Sequence, residues 1–234
     1  MTGIDPIISA FHEAMSASTS TWCSACVRVL DIDAAAVVMI PASGHPEVFC
    51  SSDATAADVE DIQIMLGQGP AFAAHDAGHP ILVPDVAVRD SRWPIFPTAM
   101  AERPHAARVG AMFSLPLQVG AIRVGVLDLF RKAHGPLETL QYSAALRVAE
   151  TVTVALLGSA TRVGADGTGS LILNRMINQA TGMLIAQLGV GPQEAYLRLR
   201  AHAYSVNRPV SEIAGDIVDR RLRLDGPHDE ADHR

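Results

Sequence analysis

Cys23 and Cys26 stand in the stretch T-W-C-S-A-C, and Cys50 completes the thiols of this 234-residue chain. A tryptophan followed by C-x-x-C is a spacing used by thiol–disulfide enzymes and by one half of a zinc site. Thioredoxin-like chemistry needs its first thiol at a helix N-terminus just after a strand, where the helix dipole lowers the pKa. Here the motif lies inside a helical pattern that follows another, and Cys26 shares a stripe with Trp22, Val29 and Leu30. That placement makes Cys26 a small buried hydrophobe. A structural zinc needs four ligands; Cys23, Cys26, Cys50 and His45 supply them on paper, but no second C-x-x-C follows. The expectation is reduced thiols packed in a core, with no metal site and no catalytic residues.

Other chemistry is sparse. Phosphate-loop, dinucleotide, nucleophile-elbow and H-E-x-x-H patterns are absent. His75 and His79 have helical spacing, but Gly78 and Pro80 argue against a helix there. The turn Gly67-Gln68-Gly69-Pro70 and the pair Pro84-Asp85 read as structural punctuation. No stretch of 18 apolar residues suggests a membrane span, and the N-terminus lacks the basic start of a secretory signal. The location expected from these features is the cytoplasm.

Charge is unevenly placed. The chain carries −7 overall, yet Leu171 to Leu224 holds seven arginines against four acids. An acidic body with an arginine-rich end suggests two modules with different partners.

The elements that would position these residues are legible as periodicities. Helical spacing runs from Asp5 to about Leu30. Ala34–Ile40 and E-V-F-C read as strands, and Ala54–Leu66 as a helix with Asp53 as N-cap. P-I-L-V-P-D-V is a short strand, R-D-S-R-W-P-I-F-P a polar loop. G-A-M-F-S-L-P-L and R-V-G-V-L-D-L-F form a hairpin. Leu137 to about Thr161 is a long helix whose V-T-V-A-L-L run is apolar nearly all round, so it must bury two sides. Val163–Gly169 reads as a linker. Three helices follow, starting near Leu171, at Pro192 and at Val210. The fold class is an α+β domain with an antiparallel sheet flanked by helices, then an all-α three-helix bundle. The boundaries are 5–161 for the first domain, 162–170 for a linker, 171–224 for the bundle and 225–234 for a disordered acidic tail.

The C-terminal motifs N-R-M-I-N-Q-A-T-G-M-L-I-A-Q-L, E-A-Y-L-R-L-R-A-H-A-Y and R-P-V-S-E-I-A-G-D-I-V closely resemble the ANTAR domain, an RNA-binding module of transcription antiterminators. The family pattern falls on Ile177, Gln179, Ala180 and Gly182, on Ala195, Leu199, Arg200 and Ala203, and on Glu212 and Ala214. Many members carry lysine where this chain has Thr181. The first 160 residues, through I-Q-I-M-L-G-Q-G-P, R-D-S-R-W-P-I-F and F-S-L-P-L-Q-V-G-A-I-R-V-G-V-L-D-L-F, resemble a GAF sensor domain of actinobacterial GAF–ANTAR regulators.

The resemblance implies binding of RNA hairpins in a nascent leader, so that a terminator does not form. Each bundle would take one hairpin and a dimer two. A small molecule in the first domain would set whether both bundles engage. Excess arginine suits a phosphate backbone, and Arg175, Gln179, Arg200 and Arg208, with Thr181 as neighbour, are the expected RNA contacts. Ala180, Gly182, Ala195 and Ala203 are expected to be small where helices approach. Phe72, Trp93, Phe96, Met112 and Ser114 are the expected ligand-pocket walls; the ligand or cofactor is unknown. The helix Leu137–Thr161 is the expected homodimer contact. Two rivals remain: a sensor whose helical end only docks proteins, and a thiol enzyme resembling GAF-type methionine sulfoxide reductases, working through Cys50 with Cys23 or Cys26.

Overall fold

The computed structural model describes residues 4–15, 21–41, 45–160 and 168–224, the side chains of 159–160 and 168–175 excepted. The chain splits into two compact units, Met1–Gly167 and Thr168–Arg234.

The first unit opens with α1 (Ile4–Met15) and α2 (Trp22–Leu30), the two successive helices that the spacing indicates. Strands β1 (Ala34–Met39) and β2 (Glu47–Ser51) follow, then α3 (Ala54–Leu66) and α4 (Pro70–Ala77). The Asp53 carboxylate accepts from the Ala56 backbone N–H at 2.9 Å, the N-cap that the sequence indicates. Gly67 ends α3 in the left-handed region at φ 63°. The helix α4 corrects the reading of this stretch as a loop. Pro70 occupies its first turn, where a missing N–H costs nothing, and Gly78 terminates it. His75 lies in α4 and His79 beyond its end, so the two share no helical face.

Next come β3 (Ile81–Val83), α5 (Phe96–Glu102), β4 (Ala111–Val119), β5 (Ile122–Arg131) and α6 (Thr139–Ala160). The five strands form one sheet in the order β2-β1-β5-β4-β3, every pairing antiparallel. Alternation along each strand sends side chains to two separate cores. One face packs Ala35, Val37, Phe113, Leu115, Leu127 and Leu129 against α1, α2 and α6. The other packs Ala36, Val38, Met112, Val126 and Phe130 against α3, α4 and α5.

The second unit is α7 (Thr168–Leu188), α8 (Pro192–Ser205) and α9 (Val210–Val218). Residues 168–170, expected in the linker, are helical; the expected linker residues 162–167 and the tail 225–234 lie outside the described residues. Ile177, Ala180, Leu184, Ala195, Leu199, Ala203, Ile213 and Ile217 are buried in its core, as their spacing indicates. A Cβ on Gly215 would meet Met176 Cε at 3.0 Å, which lets α9 lie close to α7.

Candidate nucleic-acid interface and sensor core

The arginines of the helical unit differ sharply in availability. Arg198 bonds Glu194 at 2.7 Å across one turn of α8. Arg208 spans Glu212 at 3.1 Å and Asp216 at 2.8 Å, and Arg221 bonds Asp216 at 2.8 Å and Asp219 at 2.6 Å. These contacts hold the Asp216 carboxyl below its ordinary range, the Arg221 hydrogen bond contributing most. Arg200 is half-buried, its guanidinium 5.8 Å from the centroid of the Tyr196 ring. Arg220 and Arg223 are exposed and have no carboxylate at ion-pair distance among the described residues.

The expected RNA residues are therefore not equivalent. Gln179 projects from an exposed position on α7. Arg208 is exposed but bound to two carboxylates, and Arg200 is partly withdrawn over an aromatic ring. Thr181 does not share the surface: it is 4 % exposed and its hydroxyl donates to the Ile177 carbonyl at 2.8 Å. A side chain bonded back one turn inside the bundle has no hydrogen left for RNA. Gly182 is also corrected, being exposed with no atom within 4 Å of a Cβ built on it. The Arg175 side chain lies outside the described residues. Arg220 and Arg223 follow the last apolar stripe of the bundle, so periodicity does not mark them as candidates.

In the first unit, Trp93, Phe96 and Met112 are buried in the core formed with α3, α4 and α5, and Phe72 packs against it. Ser114 lies on the same face of the sheet, its hydroxyl donating to Asp128. The five expected pocket residues are thus brought to one side of the sheet. None of them lines the cavity of about 660 Å³ beside Leu30, Arg131 and Gln141, or that of about 490 Å³ between Met15, Trp22 and Val154.

A buried polar network runs through that core. Asp128 on β5 and Glu60 on α3 are both fully buried. The Gln63 amide donates to Glu60 at 2.9 Å, and its carbonyl accepts from the Ala71 backbone at 2.9 Å, tying α3 to the start of α4. Glu60 Oε1 and Asp128 Oδ2 receive no donor from any other described group. The two carboxyls lie close enough to shift one another, and a proton on either would let them bond. Burial pushes the Asp128 carboxyl up to about 6, opposed by the Ser114 hydrogen bond. Glu60 is raised well above the usual range, by burial first and then by the Asp128 charge. Charge is expensive away from water.

The thiols depart from expectation. Cys23 and Cys50 form a disulfide linking α2 to β2, with Cα atoms 6.0 Å apart across 27 residues. Trp22 and Phe49, adjacent to the two cysteines in sequence, meet in a tilted contact with centroids 5.3 Å apart. Reduced thiols were expected because sequence spacing does not reveal that β2 folds back beneath α2. Cys26 is a buried free thiol, its pKa pushed up to about 12 by burial. All three cysteines belong to the core opposite the one containing Trp93 and Met112.

Residues 171–218 match the ANTAR domain. No curated protein matches the sequence. Among solved structures, the GAF domain of a phosphoenolpyruvate-protein phosphotransferase from Coxiella burnetii is 10% identical, with a TM-score of 0.54 over 69% of this chain and 97% of that one. The corresponding Acinetobacter domain is 10% identical at a TM-score of 0.49, covering 70% of this chain and 95% of that one. Free methionine-R-sulfoxide reductase from Neisseria meningitidis is 12% identical at the same TM-score, covering 68% and 89%. Identities this low speak to fold alone. The five-stranded antiparallel sheet with helices on both faces, followed by the matched helical module, gives the chain a GAF–ANTAR architecture.

Proposed function

We propose that this protein is a signal-responsive transcription antiterminator in which the helical unit binds RNA hairpins and the GAF unit senses a small molecule. The ANTAR match over residues 171–218 carries this reading. The arginine excess of residues 171–224, seven against four acids, supports it, because a nucleic-acid partner is held largely through its phosphates. Gln179, Arg200 and Arg208 remain its candidate contacts within the motif, with Arg175 beside them.

Dimerisation through α6 belongs to the same proposal. Val152 and Leu156 are buried beneath the sheet, whereas Val154 on the opposite side of the helix is 66% exposed. Beside Val154 lies the cavity shared by His12, Met15, Trp22 and Ala155. A second copy would cover this apolar strip and bring two bundles to one transcript. A signal acts in this scheme only if its ligand binds one arrangement of the dimer better than the other.

The reductase alternative draws no support from the thiols. A pocket cysteine must present a thiolate, yet Cys23 and Cys50 are joined and Cys26 is buried on the other face of the sheet from Trp93 and Met112. The experiment that decides between RNA binding and protein docking is titration of the full chain with RNAs carrying one or two stem–loops, at 50 and 200 mM salt. Binding that weakens steeply with salt, and is tighter for two stem–loops, is expected. No binding at the lower salt would leave the docking module as the better reading.

A further inference from the structure

The two arginines without an ion pair among the described residues border a groove of about 410 Å³ in the helical unit. Met183 and Ala186 of α7 and Ile217 of α9 form its apolar lining, and Arg220 and Arg223 stand among its walls. Gln179, Met183 and Ala186 follow one another at i, i+4 and i+7, so the exposed Gln179 amide lies on the stripe of α7 that leads into the groove. We infer that this groove seats an unpaired nucleotide of an RNA loop, its base against Met183, Ala186 and Ile217 and its phosphates held by Arg220 and Arg223. The inference rests on the RNA-binding reading and gives it a site, beyond the family motif, which ends at Val218.

Charge selects this groove over its neighbour. A second depression of about 420 Å³ is lined by Arg208 and Arg221, but also by Glu212, Asp216 and Asp219. Its guanidiniums are already bonded to those carboxylates, and its formal balance is negative, so a phosphate entering it would displace ion pairs and meet like charge. Among the described residues, the lining of the Arg220 groove carries two positive charges and no carboxylate. An apolar slot with a cationic wall suits a splayed-out base with its backbone, whereas a continuous duplex offers no base to fill it.

Backbone geometry adds an independent indication. Arg220 sits just past the end of α9 at φ 60°, in the left-handed conformation that glycine adopts at helix C-termini. A residue with a Cβ is disfavoured there, and among the described residues Arg220 makes no ion pair that would compensate. The chain places a guanidinium where glycine would fold more easily, as expected of a position kept for contact rather than packing.

That conflict supplies the test. RNAs enriched by the full-length wild-type chain from stem–loops with randomised loops serve as probe, with duplex RNA of equal length as control. Arg220→Gly and Arg223→Gln are each expected to weaken loop-RNA binding about ten-fold and to lower the salt slope by about one. Arg220→Gly should melt no lower than wild type, because the strained backbone is relieved. Ala186→Glu, a carboxylate introduced into the groove from an exposed position, should weaken binding at least as much. Variants that bind like wild type would overturn the groove while leaving RNA binding intact. Equal losses on the duplex control would overturn the loop-nucleotide assignment, and a lower melting point for Arg220→Gly would assign that residue a structural role instead. Failure of the wild-type chain to enrich any RNA would bring down both this site and the reading on which it rests.

Discussion

Asp128 and Glu60 share a proton-binding site closed off from water, and this sets a pH dependence for the first unit. A carboxyl raised to about 6 when folded, as Asp128 is, binds its proton more tightly in the native than in the unfolded chain. Its contribution to stability is therefore greatest below the unfolded value near 4 and is lost as pH rises through 6. Glu60 acts in the same direction and extends the loss upward. Glu60→Gln, whose amide can donate to Asp128 without a charge of its own, should be more stable than wild type at pH 8, on the order of 2 kcal/mol. The gain should shrink at pH 5, and chemical denaturation at the two values measures it; a variant uniformly less stable would contradict the account. None of this was legible beforehand, since an acid on an apolar strand and another on a helix carry no mark of meeting. Ser114 was read from the sequence as a pocket wall, and its actual partner is that same carboxylate. Thr181 and Gly182 show the same limit on α7, where one position of rotation separates a buried hydroxyl from an open surface.

Elements were far easier to read than their contacts. Continuous apolar runs marked β1, β4 and β5, which are buried on both faces, whereas i, i+4 stripes marked the bundle helices, which are buried on one. The helix α4 escaped for a local reason: Gly67, Gly69 and Pro70 look like the end of one element, and they also begin the next. The strand pairing brings its own requirement at Gly125, opposite Met39. A Cβ built there would lie 2.0 Å from the Val38 carbonyl oxygen, a backbone atom that cannot rotate aside. Gly125→Ala should therefore force β1 from β5 and cost about 2–3 kcal/mol. Thermal melting of the full chain tests this, and a neutral result would mean that the strands are not so closely paired.

For the molecule as a whole, the proposed dimer would form through α6. Two helical faces pack on the sheet, yet α6 leaves Val154 and Leu140 uncovered. Val154→Glu should shift a dimer towards monomer by at least ten-fold in dissociation constant, about 1.4 kcal/mol, without lowering the melting point of the isolated subunit. Sedimentation equilibrium across a concentration series reads this directly; an unchanged association would move the contact elsewhere. The apolar run Val152–Leu157 had already indicated a helix with two sides to bury, and composition alone separated the acidic unit from the arginine-rich one. The borders of the sheet bear on the same matter. At one margin stands the three-residue β3, and at the other the five-residue β2, where the pairing register slips at Val37/Val38. Such abbreviated, irregular margins make poor templates for adding another strand. Crowded copies of this molecule are thereby steered away from open-ended, ribbon-like growth along the sheet.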